Sequence, residues 1–242
     1  MSTGLSLFLL GCATVETKQD RLDLLNRLEK NVAKRDSVSG NLMVTAELNG
    51  QSVSVPAVLL VSYPDKFRLE VQDPVGGLIA LVVVNGEQFW LFERERNEIL
   101  TGALSKIPFP LIPKGGSEDL VRYFLARPYI ERVRRGEVRD SRSVLREQML
   151  RETVEWSDVP EPVLWKREVN GRTQIRAEYD DYEAKDGLRF PSKLRLTGVG
   201  NDGKLRQVLL VWKDWLASVP SEQKLFQIPQ QQTFGRKIKA LP

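Results

Sequence analysis

Five Asx-Gly dipeptides constrain the fold more than any other feature of this chain: Asn49-Gly50, Asn85-Gly86, Asn170-Gly171, Asp186-Gly187 and Asp202-Gly203. Such pairs favour the tight turns that join antiparallel strands, because both central residues of a type I′ turn need positive φ. The runs between them alternate apolar and polar side chains, the period of a strand with one buried face. Leu42, Val44, Ala46 and Leu48 alternate with Met43, Thr45 and Glu47 ahead of the first dipeptide. Val53, Val55, Ala57, Leu59 and Val61 share a face after it. Phe67, Leu69 and Val71 follow, then the apolar run 78–84 and a strand 88–93 with Phe89 and Leu91 on one side and Trp90 and Phe92 on the other. The pattern resumes with Ile175, Ala177 and Tyr179, with Leu194 and Leu196, and with Val208, Leu210 and Trp212.

Two helices interrupt the strands. Leu24, Leu25, Leu28 and Val32 recur at helical spacing over about Asp20–Arg35. A second helix starts at Ser117, an N-cap residue type, and carries Leu120, Val121 and Phe124 on one face before Pro128. Three prolines between Ile107 and Pro113 make that apolar stretch a loop. The segment 127–151 holds eight Arg against Glu131, Glu137, Asp140 and Glu147. Its weak periodicity reads as a charged, mobile insertion of helix or strand. The expected class is mainly β with helices (α+β). About ten or eleven antiparallel strands curl into a barrel or half-barrel, and the helices lie against its concave side or plug one end.

Composition narrows the chemistry. The chain has no histidine and one cysteine, Cys12. That removes the commonest general base and excludes Cys/His metal sites. No nucleophile–base constellation is visible, so no enzymatic activity, no cofactor and no metal is expected. The carboxylates Asp180, Asp181, Glu183 and Asp186 lack the spacing of a calcium loop and read as solvated hairpin residues. The five tryptophans read as core before they read as a ligand groove. A net charge of +4 is mild, and no nucleic-acid-binding motif accompanies it. No apolar run reaches the ~18 residues of a membrane span.

Cys12 follows Leu9-Leu10-Gly11 and a short apolar run from Gly4. This resembles the lipobox of bacterial lipoproteins. The resemblance implies a signal peptide over 1–12, cut to leave Cys12 as a diacylglyceryl- and acyl-modified N-terminus (palmitate being such an acyl group), and a tether over 13–20. The alternative is a chance apolar N-terminus with a lone cysteine. Ala13 is not an Asp-type inner-membrane retention residue, which favours the inner leaflet of the outer membrane, facing the periplasm.

A second resemblance rests on the order of several short motifs. These are Ser39-Gly40-Asn41-Leu42, Tyr63-Pro64-Asp65-Lys66-Phe67-Arg68-Leu69-Glu70, Asp73-Pro74-Val75-Gly76-Gly77, Tyr179-Asp180-Asp181-Tyr182, Asp186-Gly187-Leu188-Arg189-Phe190-Pro191 and Phe226-Gln227-Ile228-Pro229. Together they resemble the lipoprotein-localisation carriers and receptors, LolA and LolB, across most of 20–230. The resemblance implies one half-barrel domain over 21–230, with helices as a lid over the concave face and a loose tail over 231–242. It implies a cavity for acyl chains of lipid or lipoprotein, lined by Leu42, Val44, Val55, Leu59, Phe67, Leu69, Phe89 and Leu91. It also implies a protruding loop for membrane contact or cargo transfer at Val75 and Leu78. The expected partners are such cargo, the membrane through the N-terminal anchor, and a periplasmic carrier or envelope-complex protein. A structural or assembly lipoprotein using the same fold as a scaffold is the alternative.

Overall fold

The alternating runs fold as strands because each has one face to bury and the turn residues to reverse the chain. In the computed structural model of the chain the described residues are 18–48, 51–107, 116–139, 142–147, 149–159, 161–199, 205–217, 222–227 and 236–241. The elements in order are α1 (Lys18–Ala33), β1 (Ser37–Leu48), β2 (Gln51–Ser62), β3 (Lys66–Gln72), β4 (Leu78–Asn85), β5 (Gln88–Glu93) and β6 (Glu98–Ala103). Then come α2 (Ser117–Phe124), α3 (Ile130–Arg135), β7 (Glu137–Arg139), β8 (Arg142–Glu147), β9 (Leu150–Trp156), β10 (Pro162–Val169), β11 (Arg172–Lys185), β12 (Leu188–Val199), β13 (Leu205–Trp212), β14 (Leu216–Ala217) and β15 (Lys237–Ala240).

All strands join one 15-stranded sheet, ordered β15-β6-β5-β4-β3-β2-β1-β13-β12-β11-β10-β9-β8-β7, with β14 also on β1. Two antiparallel meanders meet where β1 pairs β13, from Leu42↔Trp212 to Ala46↔Val208. The parallel pair is β15 on β6. The chain crosses from one end of this order to the other through α2 and α3. A sheet this wide curls, because every strand adds right-handed twist. Two of the expected turns show their backbone signature: φ is 52° and 72° at Asn170-Gly171 and 51° and 74° at Asp186-Gly187. The pairs Asn49-Gly50 and Asp202-Gly203 lie outside the described residues, as do Cys12 and the apolar loop after Ile107.

One face of the sheet, called inner here, packs against the helices. Registered partners share that face: Leu59↔Leu69, Phe67↔Val84, Leu69↔Val82 and Val82↔Leu91. Leu25, Leu28 and Val32 of α1, Leu120, Val121 and Phe124 of α2, and Val133 of α3 join the same core. The outer face of β2–β6 carries a second cluster of Leu60, Leu81, Val83, Phe92 and Ile99, covered by Phe226.

Several expectations change. The segment 127–151 holds α3, and its strands β7 and β8 and the start of β9 extend the sheet. Its outward-facing arginines hid the strand period. The sheet therefore exceeds the expected ten or eleven strands. Within the tail expected to be loose, β15 pairs β6, and Leu241 N–H donates to Thr101 O at 2.8 Å. Leu225 and Phe226 lie in a 3-10 turn, where Phe226 is buried and Arg68 Nη1 donates to the carbonyls of Leu225 and Gln227. Gly116, not Ser117, is the N-cap of α2. Ser117 is buried, and its hydroxyl donates to the Glu87 carboxylate at 3.1 Å.

Candidate functional site

Alternation puts the predicted cavity residues on one face. Leu42, Leu59, Phe67, Leu69, Phe89 and Leu91 all lie in the inner core and are at most 5% exposed. Val44 is half-buried against that core. Val55, its registered partner on β2, is half-buried. The six buried ones are covered: α2 packs on β2 and β3, and the Phe124 ring sits 4.9 Å from that of Phe67. Among the described residues, these inner-face side chains pack against one another and against the helix residues above them.

On the other half of the inner face, α2 meets charge. Arg167 on β10 grips Asp119 of α2 with both terminal nitrogens, at 2.8 and 2.9 Å. Across the ladder Arg167 pairs Glu152, whose Oε2 lies 3.6 Å away and accepts from Arg132 Nη1 of α3 at 2.9 Å. The other oxygen, Glu152 Oε1, accepts from Trp165 Nε1 at 3.0 Å. Asp119, Glu152 and Arg167 are all under 10% exposed. Burial works against the Arg167 charge, but the hydrogen bonds and charges of Asp119 outweigh it and hold the guanidinium pKa above its ordinary value. The set carries two positive and two negative charges, so it is neutral. It ties both short helices to β9 and β10.

Tyr123 of α2 lies in the same cluster. Its ring is 4.1 Å from that of Trp165, and its backbone carbonyl accepts from the Tyr179 hydroxyl at 3.0 Å. Complete burial pushes the Tyr123 phenol well above its usual pKa. A second buried tie holds the end of α1. Arg35, 0% exposed, pairs with Glu161 and donates to Ala126 O at 2.7 Å and Arg189 O at 3.2 Å. Burial raises the Glu161 carboxyl pKa, and Arg35 opposes that rise.

The Arg-rich segment is wired to the rest of the fold. Arg127 pairs with Asp36, Arg132 with Glu152, Arg134 with Glu29, Arg135 with Glu147 and Arg142 with Glu155. Arg122 and Arg132 both lie over the Tyr129 ring, 4.0 and 4.3 Å from its centroid. Beside them a recess of about 210 Å³ opens between α1 and the α2–α3 connection, lined by Val32, Arg122, Arg127 and Tyr129 among others.

The two predicted transfer-loop residues separate. Val75 is 93% exposed at the tip of the β3–β4 turn. Leu78 instead packs against the outer-face cluster. The turn is braced by Asp73, whose Oδ1 accepts from Gly77 N at 2.7 Å and Val75 N at 3.1 Å, and whose Oδ2 accepts from Arg94 at 3.0 Å. The Gly77 hydrogen bond first, then Arg94, holds the Asp73 carboxyl below its ordinary pKa. Asp180, Asp181, Glu183 and Asp186 are exposed around the β11–β12 hairpin. Among the described residues no helix is long and apolar enough to cross a membrane.

The buried charges were not picked out from the sequence. Strand parity holds the signal: Glu152 and Arg167 take the same face as Val154 and Trp165.

No protein-family model and no curated protein matches the sequence. Solved structures do match in fold. A LolA superfamily protein from Nitrosomonas europaea has a TM-score of 0.53 at 14% identity, over 86% of this chain and 97% of that one. An outer membrane lipoprotein-sorting protein domain from Vibrio parahaemolyticus has a TM-score of 0.57 at 11% identity, over 84% of this chain and 95% of that one. A DUF1329 family protein from Desulfovibrio piger has a TM-score of 0.54 at 12% identity, over 88% and 98%. One open, curled, mostly antiparallel sheet with few helices is thus the LolA-like fold, and this chain has it.

Proposed function

We infer that the chain is a lipid-anchored, periplasm-facing protein that holds acyl chains of a lipid or lipoprotein between its sheet and its helices. The observation that carries this reading is the inner face itself. A continuous apolar wall, with Leu59, Phe67 and Phe89 at its centre, shares its core with α1 and with two helices of only 8 and 6 residues, α2 and α3, which ion pairs fasten to β9 and β10. An acyl chain gains about 0.8 kcal/mol per buried CH₂, so a site of this kind needs only an apolar lining and a cover that moves. In this reading α2 and α3 are the lid, and α2 shifts over β2 and β3 to admit the ligand beneath it. The braced turn holding Val75 is the membrane-contact or transfer loop, and Cys12 is the anchor. Similarity in fold to a lipoprotein-sorting domain supports the same role in the outer membrane's inner leaflet.

The deep burial of these inner-face side chains favours a second reading, a structural lipoprotein that serves as a scaffold in an envelope complex. Native mass spectrometry separates the two. The full chain, made in a lipid-containing bacterial host and gently extracted, should carry a phospholipid or acylated peptide that a fluorescent fatty acid displaces. A bare protein mass with no uptake of the probe would overturn the carrier reading and leave the scaffold.

A further inference from the structure

The inner face has hydrogen-bond donors left over and its carboxylates nearly used up. Among the described residues, Tyr123 Oη and Arg167 Nε are buried without any partner. Both belong to the cluster under α2, where the Arg167 guanidinium lies 5.8 Å from the centre of the Tyr123 ring. The nearby acceptors are taken: both Asp119 oxygens by Arg167, Glu152 Oε1 by Trp165 and Glu152 Oε2 by Arg132. The Tyr123 carbonyl already accepts from Tyr179. Trp156 Nε1, at the far end of β9, is a third buried donor without a partner, against a single buried side-chain acceptor without a hydrogen-bond partner among the described residues, Glu161 Oε1, which belongs to the separate Arg35 tie. Buried polar groups in folded proteins are nearly always satisfied, so a shortage that falls on donors calls for an acceptor from outside.

The charge of the cluster says what kind of acceptor. Asp119 and Glu152 balance Arg132 and Arg167, so an incoming phosphate or free carboxylate would place an unbalanced charge in a dry site. A neutral oxygen would not. Resting on the acyl-binding reading above, we propose that Tyr123 Oη and Arg167 Nε form a polar subsite beneath α2 that takes the carbonyl oxygen of the ligand's acyl ester or amide. Phe124 and Phe67, on the same helix and the same face of the sheet, then receive the hydrocarbon. The subsite fixes the depth at which the acyl chain seats, because an ester carbonyl marks the start of every such chain. It also selects acylated molecules over plain hydrocarbon.

The test compares 1-oleoylglycerol with its 1-O-alkyl ether analogue, which keeps the chain and both hydroxyls but lacks the carbonyl. Dissociation constants are measured on the full-chain protein and on Tyr123→Phe, which removes an oxygen that has no partner in the ligand-free fold. The wild type should bind the ester about tenfold more tightly than the ether, which is about 1.4 kcal/mol. Tyr123→Phe should lose that preference by weakening for the ester alone, while its own folding stability stays equal or rises. Equal binding of ester and ether by the wild type would overturn the subsite and leave acyl binding standing. So would an ester preference that survives Tyr123→Phe. A loss of folding stability in Tyr123→Phe would also overturn it, since an internal water would then be the hydroxyl's partner. Binding of neither probe would overturn the acyl-binding reading itself, and the subsite with it.

Discussion

Arg167 and Asp119 bury a charge pair that neither could keep alone. Removing one partner of such a pair costs about 3–5 kcal/mol, because the other stays buried and unpaired. Arg167→Met should therefore lower unfolding stability by that order in a urea titration. The double variant Arg167→Met/Asp119→Leu should recover most of the loss, since replacing both ions by apolar groups is often neutral. A double variant as unstable as the single one would contradict this account of the cluster. The pair was not legible in the sequence, because Asp119 and Arg167 stand 48 residues apart and each reads locally as a solvated charge. The apolar half of the same face was legible. Leu42, Leu59, Phe67, Leu69, Phe89 and Leu91 follow strand parity, and parity alone decides which face they take.

The β3–β4 turn shows how an element presents a single side chain. Val75 has no packing of its own, so its position depends on Asp73 gathering the turn's N–H groups and Arg94. The Asp73 carboxyl titrates below its ordinary value of 3.8. A depressed folded pKa contributes stabilisation that is present above the ordinary value and is lost as pH falls through the folded one. The amide shifts of Val75 and Gly77 should thus titrate with a midpoint below pH 3.8, as followed by NMR. A midpoint at or above 3.8 would mean the brace is absent in solution. Elements with clean alternation and an Asx-Gly turn were readable, β11 and β12 most of all. The strands β7 to β9 were not, because outward arginines such as Arg142 and Arg151 pair with Glu155 and Glu168 on neighbouring strands and leave no apolar stripe to see. The strand β15 has four exposed residues and no period, so its pairing depends on the open edge of β6.

For the whole molecule, the helix–sheet interior is the main store of stability and the place where function is proposed. Tyr123 and Tyr179 are buried there, and desolvation raises both phenols well above 10.0. Above that pH the unfolded chain gives up these protons and the folded one keeps them, so stability falls as pH rises. The expected slope is about 1.4 kcal/mol per pH unit for each tyrosine. Alkaline denaturation followed by phenolate absorbance should show both ionising only as the chain unfolds. Free titration of all five tyrosines in the folded state would contradict the closed interior. The sheet's wide, curled architecture was legible in the turn spacing. The closed state of its interior was not, because whether helices fill an apolar face or leave room on it depends on distances between elements remote in the chain. The most direct test of acyl binding beneath the helices is photo-crosslinking with a diazirine-bearing fatty acyl glycerol, mapped by peptide mass spectrometry. The account predicts label on inner-face residues such as Phe67, Phe124 and Trp165. Label confined to the outer face, or none above that of a denatured control, would contradict it.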